Sequence, residues 1–338
     1  MRDITIDLNN LSFSHRDTLV HYSAPDMVVR RADPYIQIEQ GGKTTILKNL
    51  IVKEPDDAFA CRYKDQVLLI FGGQQLVLLN PDGSYEEIEV NYKPVVTDIH
   101  IHNNHIVFGN LIGKLFHFVI YDLEEKKRIY QTTSIAANTL SYYFGRRHIY
   151  TLMGNSNLVC WDYQGKEIWK KFEYQYVVPG LTEYNGKLLY SSNNQIKITD
   201  GNTTDVIDIP HVRIDKIEGV ANNNLYGVCG ERRNLFCFDL RQNNLRYEVQ
   251  GDPKSIIRKL LLTRGKIPDK KAISNVLFFS TDTHLGMVDL ERGHLQFYIG
   301  IPKIRSIVRN DEIIVSTHLG ESHLLREAVK EESAIIEV

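Results

Sequence analysis

Asp98, His100 and His102 occupy alternate positions, and His105 follows three residues later. Alternate side chains of an extended strand share a face, so a carboxylate and imidazoles could converge there on a divalent transition metal. No further ligands of known geometry accompany them. A polar strand lining a wet channel is therefore expected, and no metal or cofactor is assigned. Asp98, His100 and His102 are the residues to consider if a carbohydrate or small-molecule enzyme operates at the mouth of that channel.

Three other sets carry chemistry. Gly41-Gly42-Lys43-Thr44 matches the end of a phosphate-binding loop, but the loop's first glycine would fall at Gln37, so a hairpin turn is expected instead. Arg258, Lys259, Arg264, Lys266, Lys270 and Lys271 form the one local basic cluster. It could meet phosphate or an acidic partner surface. It lacks the interleaved aromatic residues that stack on bases, so a solvated loop is expected and nucleic-acid binding is not. Trp169, Phe172, Tyr174 and Tyr176 form an aromatic-rich strand that could anchor an interface or stack on a sugar, with packing between repeats the commoner use of such rings. The sequence contains no Gly-x-Ser-x-Gly, His-Glu-x-x-His or Gly-x-Gly-x-x-Gly signature.

Composition limits the elements that could position these groups. The 338 residues are 43% hydrophobic and 24% charged, which excludes disordered and fibrous classes and supports a substantial core. Forty basic and 42 acidic residues give a formal charge of -2, so no global field steers the chain to nucleic acid or anionic lipid. The longest apolar runs, such as 67–71, are strand-sized and far short of the roughly 20 residues of a membrane-spanning helix, so membrane insertion is not expected. Residues 1–7 mix acidic with apolar side chains, unlike a secretory signal, and a cytoplasmic protein is expected. Cys61, Cys160, Cys229 and Cys237 lack metal-ligand spacing and read as reduced core residues.

A unit of strand, polar turn, strand, Gly or Asn turn and third strand recurs along the chain. Its third strand ends in Leu79-Asn80, Tyr121-Asp122, Trp161-Asp162, Thr199-Asp200, Phe238-Asp239 and Val288-Asp289. Successive acid or amide positions differ by 42, 40, 38, 39 and 50 residues, close to the period of propeller blades. An Asp or Asn side chain there can bond to the backbone just ahead and fix the turn into a fourth strand.

The run Leu158-Val159-Cys160-Trp161-Asp162-Tyr163-Gln164-Gly165-Lys166-Glu167-Ile168-Trp169 resembles the PQQ-like and WD-repeat propeller superfamilies, as do Phe238-Asp239-Leu240 and Val288-Asp289-Leu290. The Gly-His pair of WD repeats is absent. The resemblance implies an all-β fold, a single β-propeller domain over 1–338. Further strand sets at 304–325 and 18–51 flank the six repeats, and seven four-stranded blades are expected. An N-terminal strand at residues 4–8 or a C-terminal one at 334–338 would close the ring. Taken literally, a PQQ-like resemblance also implies a quinone-dependent dehydrogenase or an exported envelope lipoprotein, and residues 1–7 argue against export.

Pro55, Pro94, Pro179, Pro210, Pro253 and Pro302 each precede an innermost strand and mark one rim of the ring. The turns between second and third strands open on the same rim. They should present Gln74, Asn110, Asn155, Asn193, Arg232, Arg233, His284 and His318 to a protein partner, whereas the basic segment between Leu262 and Ser274 should lie on the opposite rim. A non-catalytic interaction scaffold, or a subunit of a larger complex, is therefore expected.

Overall fold

The structure is a computed structural model that describes residues 11–16, 20–23, 27–32, 35–50, 58–71, 75–89, 94–112, 115–131, 139–154, 156–209, 212–250, 256–266, 273–301, 303–309, 313–317 and 322–327. Their strands form eight four-stranded sheets, each an antiparallel meander. In chain order the sheets span 20–47, 58–89, 94–131, 139–172, 182–208, 214–250 and 259–300, and the last combines 304–327 with Leu11–Arg16. We number them blades 1 to 8 and letter the strands of each a to d, in sheet order. First strands touch one another between blades 1 and 2, 2 and 3, 5 and 6, 6 and 7, and 7 and 8, on the inner side of the ring. Fourth strands lie outermost, and those of blades 4 to 6 are largely exposed.

The all-β propeller expected from the repeats is thus present, with one blade more than the seven expected. The flanking strand sets are two separate blades. Blade 1 turns from its third to its fourth strand on Gly41-Gly42, both at positive φ, and so lacks the repeated acid or amide that marks blades 2 to 7. No helix follows that turn, and Gly41 to Thr44 form the hairpin expected of them. Blade 8 takes its fourth strand from the other end of the chain: Leu11–Arg16 pairs antiparallel with Ser322–Glu327, from Leu11↔Glu327 to Arg16↔Ser322. Residues 4–8 and 334–338, the two segments expected to close the ring, lie outside the described residues.

The middle strands explain why the blades must stack. In Gln66–Phe71 every residue after the first is buried. Side chains alternate across a strand. Val67, Leu69 and Phe71 accordingly pack with Val29, Ile36 and Ile38 of blade 1. Leu68 and Ile70 pack with Ile106, Val119 and Tyr121 of blade 3. Blade 6 repeats the division: Leu225 and Cys229 face blade 5, whereas Tyr226 and Val228 face blade 7. Each fully buried aliphatic or aromatic side chain contributes about 2 kcal/mol, so a blade without neighbours would expose both of its stabilising faces.

The repeated acid fixes the turn between the third and fourth strands. Asp122 Oδ1 accepts from the backbone N–H of Glu124 and Glu125 at 2.8 Å each. Asp200 does the same for Asn202 and Thr203, and Asp239 for Arg241 and Gln242. These backbone donors hold all three carboxyls below the usual carboxylate range. Directly before the acid, the pairing of third and fourth strands shifts register in blades 3, 4, 6 and 7. Such a bulge adds twist.

An aromatic ring of each of three outer strands then covers a turn glycine of the next blade. Tyr130 lies over Gly165, Trp169 over Gly201 and Tyr247 over Gly293, and each glycine has positive φ. A Cβ on Gly201 would stand 2.5 Å from Trp169 Cγ, whereas one on Gly83, also at positive φ, would meet nothing within 4 Å. Gly83→Ala should cost about 1 kcal/mol from backbone conformation alone, and Gly201→Ala about 3 kcal/mol once the clash is added. Urea unfolding of the two variants measures the difference, and equal losses would show that the ring-on-glycine contact contributes nothing.

Candidate functional site

In an antiparallel meander the b–c turns and the connections between blades open at one end, and the a–b and c–d turns open at the other. The first end is the expected rim. Asn193 and Asn194 form a two-residue b–c turn in blade 5, both at positive φ and exposed. Arg232 and Arg233 belong to the b–c turn of blade 6, between Asn224–Cys229 and Asn234–Asp239. His284 opens the third strand of blade 7, half-buried, with Nδ1 at 2.8 Å from Thr283 Oγ1. Gln74, Asn155 and His318 lie outside the described residues.

Asn110 departs from expectation. It sits inside strand His105–Ile112, opposite His117, because the pairing of that strand with Leu115–Asp122 runs on to Ile112↔Leu115.

The arginine turn is held by its backbone and leaves its side chains in solvent. Arg232 has a φ of 63°, and its N–H donates to Asp215 Oδ2 at 2.8 Å. Its carbonyl accepts from Ile257 N at 2.8 Å, on the connection into blade 7. Arg233 and Glu231 form an exposed pair at 3.6 Å, worth little in water. Arg213, which the sequence reading passed over, joins them: its carbonyl accepts from Gly230 N at 3.2 Å and its side chain is 72% exposed. No sequence signal ties residue 213 to residue 232, since the link is the pairing of two strands.

The aromatic set divides into two groups with different roles. Trp169 packs between blades, over Gly201 and beside Tyr150. Phe172, at the end of the outer strand of blade 4, is 48% exposed, and Tyr174 and Tyr176, on the connection to blade 5, are 90% and 76% exposed. Phe172 and Tyr174 meet edge to face, with centroids 4.7 Å apart. Between the exposed rings Glu173 is buried. Its carboxylate accepts from Tyr190 Oη at 2.7 Å and from Lys197 Nζ at 3.1 Å, and its N–H donates to Ser156 O at 2.9 Å. Val177 bridges to Ser192, and Val178 N bonds to Ser191 O. The segment carrying Tyr174 and Tyr176 is therefore pinned at both ends. Two large rings are displayed where burial would stabilise them, an arrangement suited to contact with another surface.

Of the groups considered for other chemistry, the described side chains are engaged in structural contacts. Asp98 and His100 lie on strand Pro94–His102, and their side chains are outside the described residues. The His102 ring stacks on Tyr163 of blade 4 at a centroid distance of 3.8 Å, so it serves a blade interface. Burial, and then the nearby His105, lower its pKa. His105 Nε2 lies 3.6 Å from Asp122 Oδ2. Among the described residues, no three or more His, Cys, Asp or Glu side chains gather as a metal would require. The basic cluster is split as well. Arg258 pairs with Asp282 at 2.9 Å at the rim end of strand Lys259–Lys266. Lys266 ends that strand about 25 Å away at the strand rise per residue. Lys270 and Lys271 lie outside the described residues. All four cysteines are free, and burial raises Cys160 and Cys229 to about 12 and Cys237 to about 11.

No protein-family model and no curated protein sequence matches the chain. Solved structures do. The C-terminal WD40 domain of Sif2 aligns with a TM-score of 0.66 at 12% identity over 97% of this chain and 99% of that one. BamB from Moraxella catarrhalis aligns at 0.62 and 10% identity over 94% and 99%. Sqt1 of Saccharomyces cerevisiae aligns at 0.61 and 12% identity over 97% and 100%. These similarities establish the β-propeller fold, without a specific family. Among the described residues, no helix is long and apolar enough to cross a membrane.

Burial opposes the charge of Glu173, but Tyr190 and Lys197 outweigh it and hold the carboxyl below its ordinary value. A carboxyl with a depressed folded pKa adds stability that is complete above the ordinary value of about 4.3 and vanishes as pH falls through the folded value. Glu173→Gln should therefore cost about 2 kcal/mol at pH 7. Melting curves of the two proteins should converge as pH is lowered below about 4, and a constant gap would refute the ionised network.

Proposed function

We propose that this protein is a non-catalytic interaction scaffold that captures a protein partner on the rim formed by the b–c turns and the connections between blades. Blades 4 to 6 are its centre. The observation that carries this reading is the exposure of Tyr174 and Tyr176 on a segment fixed by buried Glu173. Interfaces draw most of their energy from a few aromatic and arginine side chains, and Arg213, Arg232 and Arg233 supply the second kind on blade 6. Asn193 and His284 extend the same rim, and Gln74, Asn155 and His318 are expected to continue it. Asp215 and Glu231 sit among the arginines, which favours a protein surface over a polyphosphate backbone. Four free cysteines, three of them buried, support a reducing, cytoplasmic setting.

Affinity capture from native lysate tests the proposal. Arg232→Ala/Arg233→Ala and Tyr174→Ser/Tyr176→Ser should each reduce recovery of a stoichiometric protein partner about tenfold or more. Both double variants should melt within about 2 °C of the parent, since exposed substitutions change stability little. Undiminished capture by both would remove this rim from consideration. A chain that elutes alone and carries metal would instead favour a small-molecule enzyme at the channel.

A further inference from the structure

Outer strands expose an open backbone edge, which proteins commonly protect with charge. Blade 2 ends in Tyr85–Glu89, which has three glutamates, and blade 5 in Thr204–Asp208, which has two aspartates. Blade 4 ends in Glu167–Phe172, whose charge is mainly cationic where those two edges are anionic. Ile168, 47% exposed, is followed at alternate positions by Lys170, Phe172 and Tyr174, all exposed. The other set, Trp169 and Lys171, turns towards blade 5, where Lys171 bonds to Thr204. The bond from Glu173 N to Ser156 O carries the ladder one residue past Phe172. The result is an edge strand with an apolar, cationic, apolar stripe on its exposed face, followed by the exposed Tyr174. Lys166, Lys170 and Lys171 outnumber the one carboxylate of 166–172, Glu167.

We infer that this edge accepts an extended, acidic peptide segment of a partner protein as a fifth strand of blade 4. The inference rests on the interaction role proposed above and adds the chemistry of the partner. Residues directly opposite each other on paired strands lie side by side. The incoming strand therefore places an Asp or Glu against Lys170 and an apolar side chain two residues away, against Phe172, while Ile168, in the bulge that precedes Trp169, gives an apolar contact at the end of the regular pairing. Main-chain bonds to the open edge supply affinity, and the alternate side chains supply selectivity.

Selection of random octapeptides displayed on phage against the full chain tests it. The selected sequences should share an acidic residue with an apolar one two positions away. A synthetic peptide of that sequence, followed by fluorescence anisotropy, should bind Lys170→Glu at least tenfold more weakly, and replacing its acid with Lys should restore binding to that variant. N-methylation of alternate peptide amides should abolish binding, which docking through side chains alone would survive. A library returning no sequence that favours the parent over Lys170→Glu overturns the inference, as does equal binding of the N-methylated peptide. Arg232→Ala/Arg233→Ala should leave peptide affinity unchanged. If the peptide fails while the rim variants still lose the partner, only the fifth strand is wrong. If the peptide binds while rim variants keep the partner, the rim reading fails instead.

Discussion

The structure depends on the packing of four-stranded sheets face to face with their neighbours. Each middle strand commits one set of alternate residues to the blade before it and the other set to the blade after it, as Leu69 and Leu68 do. Every blade is thus a wall of two interfaces, and its cost of isolation is paid twice. Closure follows from the same constraint, because blades 8 and 1 would otherwise leave a bare face each. Pairing Leu11–Arg16 with Ser322–Glu327 ties the two ends of the chain into one sheet and makes closure a condition of the fold.

With stability concentrated in the walls, the rims and outer edges are free to carry other properties. The Glu173 network illustrates the division. A buried carboxylate, a tyrosine and a lysine belong to the wall between blades 4 and 5, and their effect is to set the position of residues that contribute nothing to that wall. The same holds at Arg232, where Asp215 and the Ile257 amide fix the backbone while the guanidinium stands in solvent. Rigid presentation lowers the ordering cost that a flexible loop would incur on binding.

Much of the fold could be read in advance because its repeating parts are local. An Asp bonding to amides two and three residues ahead needs no distant partner, so Asp122, Asp200 and Asp239 announced their turns through spacing alone. The same is true of the Gly41-Gly42 hairpin. Blade 1 was harder to count because that glycine turn replaces the acid. Asn110 was misplaced because strand length is set by pairing with Leu115–Asp122, and composition alone does not state where a ladder stops.

The sequence by itself determined the four-strand unit and the turns fixed by Asp or by Gly41-Gly42, since these rest on alternation and on hydrogen bonds within a few residues. Tertiary structure decided which side chains are left over once the walls are packed. Trp169 and Tyr174 are five residues apart and chemically alike, yet one is spent between blades and the other faces solvent. Likewise His102 stacks on Tyr163, and Arg258 is separated from Lys266 by the length of a strand. Whether a ring or a charge is available for binding depends on neighbours brought by the closed ring from elsewhere in the chain, and local spacing carries no record of them.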